Sequence, residues 1–443
     1  MKKRLSFANR IWIGFTLFSM FFGIGSFVFV PFLGYQAGGN WGKGLAGFFV
    51  SAVVFPVLGI GAAAAAGGID KLARRIHPCF ATLFCIMLYL FIGPLFAIPK
   101  AASTSCSIVL LPFFGRQIAK WVQPGYLSLF FLLVYLMSLH PERLPDWIGR
   151  WTVPCILFFL VLIFTGCVFW PVGRWKQPEL SYRMHPVLWG FLEGRRTMNG
   201  AVSLSFSLIL SLIIRFKGVA KERDVFRESI YSGGIAGGVL LLVCAVLSHI
   251  GSITGSKLTG AENGIGVMTW AAKELYGKNG QAMLAVLFFL SCFHVCVGLI
   301  CCTSKYFSAL IPRISYQKWA AVFSGISLWI ACKRLSWLLN ISALIVQIFY
   351  PMCIVLVLLS FFHRWIWHLP LVYPFCVFFA GIVSGAECFE KQIGEGSLIG
   401  RFLEHLPGYG LGLGWMFAAA VGAVIGAVCS RILKNSYVCE NNS

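Results

Sequence analysis

The sequence predicts an all-α polytopic membrane protein of about twelve transmembrane helices. Of its 443 residues, 58% are hydrophobic and 12% are charged, and the mean hydropathy is +0.82. Soluble domains carry about 25% charged residues. Apolar runs of about 18–25 residues, long enough to cross a hydrocarbon core about 30 Å thick, recur along the chain. No hydrophilic segment is long enough for a separate soluble domain, so residues 1–443 are interpreted as one membrane domain.

Twelve apolar segments are interpreted as spans. Several are longer than a perpendicular helix needs, which indicates tilt or interruption. The first run is too long for a signal-peptide core and is not followed by a cleavage pattern, so it is interpreted as a span. The predicted spans are 11–36, 42–66, 80–111, 122–139, 151–171, 187–214, 231–252, 280–310, 316–331, 336–360, 366–386 and 410–432.

The positive net charge of +21 is distributed over short loops. Because no long basic arm is present, the pattern argues against a nucleic-acid partner. In a membrane protein, loop Lys and Arg report orientation, and the first span usually dominates. Lys2-Lys3-Arg4 precede that span, and the loops on the same side hold most of the other basic residues. Both termini, including the tail 433–443, are therefore expected in the cytoplasm.

The spans lack the residue patterns of an enzyme or a metal centre. The sixteen cysteines are scattered through apolar runs without a CxxC pair, as expected for small buried hydrophobic residues. His249, His294 and Glu387 are far apart in the sequence, and no HExxH or paired-Asp pattern occurs. The sequence therefore predicts neither an enzyme nor a cofactor, and it assigns no metal site.

The first span contains poor helix-forming residues at its middle. Gly23-Ile24-Gly25-Ser26 interrupts an aromatic, apolar run, and Pro31 follows. Glycine costs about 1 kcal/mol relative to alanine in a helix interior. Within a membrane, a break is tolerated only where it is buried in protein or lines a cavity. The first span is therefore expected to break at a binding site.

The sixth span is interrupted in a similar way by the segment 194–200, which reads GRRTMNG. Charged and amide groups at that depth tend to face a cavity or a partner. Interrupted spans at positions one and six, in two halves of five helices, point to an inverted-repeat transporter with a site at mid-membrane. The predicted halves are 11–186 and 187–360, with two additional helices in 361–432. A channel or receptor would need a continuous polar pore, whereas the polar positions cluster at one depth.

These residues resemble a known family, the bacterial branched-chain amino acid:cation symporters. The resemblance rests on GFTLFSMFFGIGSFVFVPFLGYQAG in the first span, YLFIGPLFAIPKAAS in the third and TMNGA in the sixth, with weaker support from IPRISY and YPMCIVLVLLSF. It extends from about residue 8 to 430. It implies a LeuT-like fold of five plus five helices in the bacterial cytoplasmic membrane, and import of Leu, Ile or Val together with Na⁺ or H⁺.

The expected roles in binding follow from the chemistry of an amino acid. The carboxylate suits the N–H groups of the half-helix that begins after Gly23-Ile24-Gly25. The ammonium suits carbonyls freed at the breaks, together with Thr197 or Asn199. The side chain needs an apolar pocket, for which the nearest candidates are Phe21, Phe22, Ile24, Phe27, Phe96 and Met198. Ser26 and Gly200 complete the predicted substrate-binding set. Another neutral amino acid, such as methionine, is the alternative substrate.

Departures from the family concentrate where the resemblance implies a cation. Ser26 stands where the family usually has Asn, and Asn199 where it has Asp. Val295 and Ile300 stand where the family has Thr. The remaining cation-coupling candidates are backbone carbonyls of Ser19 and Phe22, the hydroxyls of Thr303 and Ser304, and the imidazole of His294, because histidine in general titrates near neutral pH. A hydrogen-bonded core histidine is the alternative interpretation of His294.

Three cations inside the predicted spans are candidate gate residues. Lys100 follows two prolines in the third span, and either snorkels to the membrane surface or closes an outer vestibule. Arg195 and Arg196 precede the sixth-span break. Either they are satisfied by Glu193 and lipid headgroups, or one of them closes the vestibule or attracts the substrate carboxylate.

Overall fold

The computed structural model describes residues 4–170, 172–333, 336–393 and 398–440, and this part of the chain is helical without β-strands. The α-helices are α1 Phe7–Phe21, α2 Ile24–Ala37, α3 Trp41–Phe49, α4 Phe55–Ala66, α5 Ile69–Ala73, α6 Pro78–Ile92, α7 Ile98–Ser138, α8 Val153–Phe169, α9 Leu180–Met184, α10 Pro186–Arg196, α11 Asn199–Phe216, α12 Glu222–Thr254, α13 Gly264–Leu310, α14 Tyr316–Lys333, α15 Ser336–Ile366, α16 Val372–Ile393, α17 Leu398–Glu404 and α18 Gly414–Glu440.

Within the described residues, each predicted span overlaps helical structure. Ten segments within the described ranges are long and apolar enough to cross a membrane, which confirms a polytopic helical protein, whereas the number of twelve crossings stays a prediction. The third and fourth spans are continuous in α7 except at Gly115, where φ is 68°. A similar kink occurs in α13 at Gly277, where φ is 56°. Glycine adopts these positive φ values without the steric cost of a Cβ atom.

The first span breaks where the sequence predicts. Helix α1 ends at Phe21, and Phe22 has φ −83° and ψ 80°. The Gly23 N–H turns back to Phe21 O at 3.1 Å, whereas an unbroken helix would pair it with Ser19 O. Helix α2 then begins at Ile24 after Gly23 in an extended conformation.

The sixth span breaks between α10 and α11. Met198 adopts φ 58° and ψ 13°, and it is the only non-glycine residue with positive φ in the described part of the chain. A left-handed non-glycine residue costs about 1–3 kcal/mol and persists only where surrounding structure imposes it. The predicted interruption at this span is therefore present and centred on Met198.

Close backbone packing fixes α2, which follows the first-span break, and α10, which precedes the sixth-span break. A methyl group on Gly34 of α2 would lie 1.9 Å from Ser248 O of α12, and one on Gly190 of α10 would lie 1.8 Å from Gly44 O of α3. Small residues at helix interfaces permit this approach. Hence α2 is held against α12 and α10 against α3, which sets where the broken ends meet.

Candidate functional site

The two helix breaks face each other across a small cavity. A methyl group on Gly25 would lie 3.5 Å from both Cα and Cβ of Thr197. The adjoining cavity has a volume of about 180 Å³. Its lining residues come from α1, α2, the third span, both sides of the sixth-span break, α13 and α15. They are Met20, Phe21, Gly23, Ile24, Gly25, Val28, Phe29, Ile92, Phe96, Ala97, Lys100, Ala101, Arg196, Thr197, Met198, Asn199, Val202, Val295, Leu299 and Val346.

Helix α2 presents its first turn to the cavity. Ile24 and Gly25 both line it. The N–H groups in the first turn of a helix have no carbonyl of a preceding turn as hydrogen-bond acceptor. The helix dipole places partial positive charge at the same end. Ser26 N–H is turned back to Gly23 O at 3.1 Å. This end of α2 can therefore accept a small anionic group through main-chain donors.

The sixth-span break contributes a hydroxyl and an amide. Thr197 Oγ1 donates to Gly194 O at 2.7 Å and accepts from Asn199 N at 3.4 Å. The side-chain amide of Asn199 donates to Ala52 O at 3.3 Å, in the π-helical segment Val50–Val54 between α3 and α4. These bonds fix the position of both residues at the break, and both line the cavity.

Most of the remaining wall of the cavity is apolar. Phe96 and Ala97 belong to a π-helical segment, Gly93–Ala97, in the third span. Because Pro94 lies within this segment, the regular hydrogen-bond ladder is interrupted there. Val295 and Leu299 contribute one turn of α13. An apolar side chain placed in the cavity would contact aliphatic and aromatic groups on several sides.

Two cations line the cavity, Lys100 of α7 and Arg196 of α10. Lys100 Nζ lies 5.0 Å from the ring centroid of Phe96. Arg196 lies 5.2 Å from the ring centroid of Phe29 and donates to Glu193 Oε1 at 2.9 Å. A ligand in the cavity would therefore lie close to positive charge as well as to the two breaks.

Arg195 has a different position from its neighbour. Its Nη1 donates to the Gly412 carbonyl in the turn before α18, and it is not among the residues that line the cavity in the described chain. The same turn is held to α16, since Tyr409 Oη donates to Glu390. Arg195 thus ties α10 to the turn before α18 and, through that turn, to α16.

Helices α1 and α13 are in contact at the first break. A methyl group on Gly23 would lie 2.7 Å from Val295 Cγ2, and one on Gly298 would lie 3.0 Å from Met20 Cγ. The Ser19 hydroxyl donates to Thr16 O at 2.8 Å. Because Gly23 N–H bonds to Phe21 O, the break removes the donor that an unbroken helix would offer to the Ser19 carbonyl.

The other cation-coupling candidates lie away from the cavity. His294 is fully buried, and its Nε2 lies 2.9 Å from Thr152 Oγ1. Thr303 Oγ1 donates to Tyr89 O at 3.4 Å. Thr303 and Ser304 follow Val295 by more than two helical turns, about 12 Å along the axis at 1.5 Å per residue. The structure therefore does not bring Thr303 and Ser304 to the first break.

Most predicted binding residues line the cavity, and some do not. Ser26 is buried, and Gly200 lies behind the break, where a methyl group would be 3.5 Å from the Tyr350 ring. Phe22 and Phe27 are packed against each other, with ring centroids 4.9 Å apart, and neither lines the cavity in the described chain.

Some of the lining residues that the sequence analysis does not predict lie one helical turn from the breaks. Val28 follows Ile24 by four residues, and Val202 follows Met198 by four, so helical spacing from the predicted breaks could have identified both. Val346 in α15 also lines the cavity, but no local sequence feature distinguishes it from other apolar residues of that helix.

Known proteins with similar sequences belong to one transporter family. The sequence matches the family described as branched-chain amino acid transport protein over residues 6–433. It is 32% identical over 438 residues to the branched-chain amino acid permease BraB of Bacillus subtilis, with 98% of each chain covered. It is 30% identical over 436 residues to the branched-chain amino acid permease BrnQ of Escherichia coli, with 97% of this chain and 98% of the relative covered.

Solved structures show the same fold at much lower identity. Mhp1, a nucleobase-cation-symport-1 family transporter in a closed conformation, aligns with a TM-score of 0.56 at 10% sequence identity. The alignment covers 96% of this chain and 93% of Mhp1. Together with the family match, it confirms the interpretation as a transporter with a LeuT-like arrangement of helices, not an enzyme. The chain therefore belongs to the branched-chain amino acid transport protein family and is a multi-pass membrane protein with a LeuT-like fold.

Proposed function

We propose that the protein is a secondary active transporter that imports Leu, Ile and Val across the bacterial cytoplasmic membrane by cation symport and alternating access. The observation that carries the proposal is the cavity of about 180 Å³ enclosed by two helix breaks. Drug-sized pockets measure about 300–1,000 Å³, so this cavity suits one small molecule. Both termini lie in the cytoplasm, which places α2, Lys100 and Arg196 on the outer side of the breaks.

The substrate carboxylate binds the first-turn N–H groups at Ile24 and Gly25. The ammonium binds acceptors at the sixth-span break, where Thr197 and Asn199 lie. The aliphatic side chain contacts the wall that includes Phe96 and Val295. Since a difference of one methylene in an apolar pocket changes binding by only about 1–3 kcal/mol, the site accepts several branched side chains.

The cavity wall also favours a second candidate substrate, methionine. Met198, Phe96 and Leu299 line the cavity, and such a wall accommodates a flexible thioether as well as a branched alkyl group. Methionine and the branched-chain amino acids present the same carboxylate and ammonium. A carrier for another neutral amino acid is therefore the alternative function, and the non-transporting receptor or channel is the remaining one.

The three gate candidates have two different roles in this proposal. Arg196 and Lys100 attract the carboxylate toward the cavity. Arg195 closes the outer vestibule by holding the sixth span to the Gly412 turn. Release of the Arg195 bond would free α10 to move relative to α16 and α18 during the transport cycle.

The coupling cation has two candidate positions, the contact between the first-span break and α13 and the imidazole of His294. Backbone carbonyls of Ser19 and Phe22 are its ligands if it is Na⁺. His294 carries it if it is a proton. Thr152 Oγ1 donates to Ile148 O at 3.1 Å, so the tautomer in which His294 Nε2 donates to Thr152 satisfies both bonds and leaves Nδ1 with its lone pair. Nδ1 is buried without a hydrogen-bond partner among the described residues, so it is the ring nitrogen on which His294 would carry the proton.

Competition for binding tests the proposed substrate contacts. Purified carrier would be incubated with labelled L-isoleucine and competed with L-leucine, L-methionine, or L-leucinamide, which lacks the carboxylate. We expect L-leucine to compete and L-leucinamide to compete at least about tenfold more weakly, because it cannot accept charge-assisted hydrogen bonds from α2. Equal competition by L-leucinamide would contradict the assigned carboxylate site, and competition by L-methionine alone would favour the alternative function.

A further inference from the structure

A second cavity lies on the outer surface of the helix bundle. It has a volume of about 600 Å³ and is a groove between α6, α15 and α16. Its walls are apolar and include Phe80, Phe349, Met352, Phe375, Phe378 and Ile382. Phe378 and Ile382 remain 62% and 51% exposed. None of the groove residues lines the central cavity, so the groove is a separate feature.

Polar side chains close one end of this groove. Arg75 directly precedes the lining residue Ile76, and Tyr373 directly precedes the lining residue Pro374. Arg75 Nη1 donates to Tyr373 Oη at 3.0 Å, and His363 Nδ1 lies 3.2 Å from the same oxygen. Three polar groups therefore meet at this end of the groove. Arg75 comes from the turn before α6, His363 from α15 and Tyr373 from α16.

The closed end carries positive charge that the protein does not neutralise. In the described ranges, no carboxylate lies within salt-bridge distance of Arg75. The neighbouring Arg74, by contrast, is paired with Asp70 at 2.6 Å. Helices α6 and α16 both begin here, at Pro78 and Val372, and their N-terminal ends add partial positive charge. An anionic partner with an apolar chain could pair with Arg75 and cover the groove at the same time.

We propose that this groove is a binding site for an anionic phospholipid of the surrounding bilayer. The phosphodiester accepts hydrogen bonds from the Arg75 guanidinium, whose planar donors match a phosphate. One acyl chain lies along α16 from Pro374 to Ile382, about 12 Å at 1.5 Å per residue. That length covers most of one leaflet, since the hydrocarbon core is about 30 Å thick. Basic pockets between transmembrane helices bind lipid headgroups in this manner.

Native mass spectrometry of the full-length carrier tests the headgroup contact. Delipidated protein would be titrated with palmitoyl-oleoyl phosphatidylglycerol or, separately, with the zwitterionic phosphatidylcholine of the same chains. We expect one phosphatidylglycerol to be retained in preference. Arg75→Gln should lower this preference about fivefold, as expected for loss of one arginine near an anionic lipid. Arg74→Gln is the matched control and should leave it unchanged.

A second variant tests the acyl-chain position without changing Arg75. A methyl group on Gly381 would already lie 3.2 Å from Met352 Sδ in the groove, so Gly381→Leu should fill the groove and reduce lipid retention while the protein elutes as a single species on size exclusion. Full retention in Gly381→Leu would overturn the proposal. So would equal retention of phosphatidylcholine, an equal loss in Arg74→Gln, or displacement of the lipid by excess inorganic phosphate.

Discussion

Gly23 and Val295 are in direct contact at the break in the first span. A methyl group on Gly23 would lie 2.7 Å from Val295 Cγ2, which is shorter than a normal van der Waals separation. The contact joins the end of α1 to α13 and places a branched aliphatic side chain next to the proposed cation position. It therefore links two features that the sequence presents separately, a glycine pair in the first span and a missing hydroxyl in the eighth.

Alanine at Gly23 should impair transport because its methyl group would collide with Val295. Overpacking of this kind costs about 1–3 kcal/mol, and we expect uptake to fall at least about fivefold. The double variant Gly23→Ala/Val295→Ala should recover much of the rate, as measured by initial uptake in proteoliposomes. Gly39→Ala is the control, because nothing lies within 4 Å of its added methyl group. A double variant no better than Gly23→Ala would show that the contact does not limit transport.

Replacement of Arg196 should weaken apparent substrate affinity more than turnover. Arg196 lines the cavity, and loss of a charge-assisted contact costs about 1.5–3 kcal/mol, so Arg196→Gln should raise KM about tenfold. Arg174, exposed in the segment before α9, provides the control variant Arg174→Gln, which should leave KM unchanged. Unaltered kinetics in both Arg196→Gln and Arg195→Ala would remove the proposed gate roles.

A hydroxyl at Val295 should increase dependence on Na⁺. Threonine has the shape of valine and would add an oxygen ligand beside the carbonyls of Ser19 and Phe22, and hard cations favour oxygen ligands. Uptake by Val295→Thr, measured against external Na⁺ at fixed pH, should therefore show stronger stimulation than wild type. Val295→Ala, which adds no oxygen, should not. If Val295→Ala gained the same stimulation, packing and not ligation would be responsible.

Glutamine at His294 separates proton coupling from a packing role. Glutamine can still donate to Thr152 but cannot accept the coupling proton. We expect His294→Gln to lose accumulation driven by a pH gradient while it retains counterflow, which needs no driving ion. Thr152→Val is the matched variant, since it removes the hydrogen bond and keeps the imidazole. Full pH-driven accumulation in His294→Gln would leave His294 as a core residue.

The sequence predicts the parts of the structure that have local causes. Glycine and polar residues inside apolar runs mark both breaks, because poor helix formers and unpaired backbone groups are costly at membrane depth. In the structure the two breaks lie close together, since a methyl group on Gly25 would be 3.5 Å from Thr197 Cα. Proline in the third span likewise marks the irregular segment Gly93–Ala97, which contributes Phe96 to the cavity.

Contacts between distant parts of the chain were not predictable in this way. Arg195 and Arg196 are adjacent and chemically alike, yet Arg195 binds the carbonyl of Gly412, whereas Arg196 turns to Glu193 and the cavity. Which arginine faces the cavity depends on the packing of α10 against α3 and on the final turn before α18. The position of Val346 depends in the same way on tertiary packing.

Counterflow in proteoliposomes tests the central claim most directly. Carrier preloaded with unlabelled isoleucine would be offered labelled Ile, Val, Met, Phe or Ala, with Na⁺ and pH gradients imposed separately in parallel uptake assays. We expect Ile and Val to exchange at rates well above those of Phe and Ala. We also expect net accumulation with at least one of the two gradients. If none of the five amino acids exchanged, the cavity between the two breaks would not be an amino-acid site, and only the fold would remain.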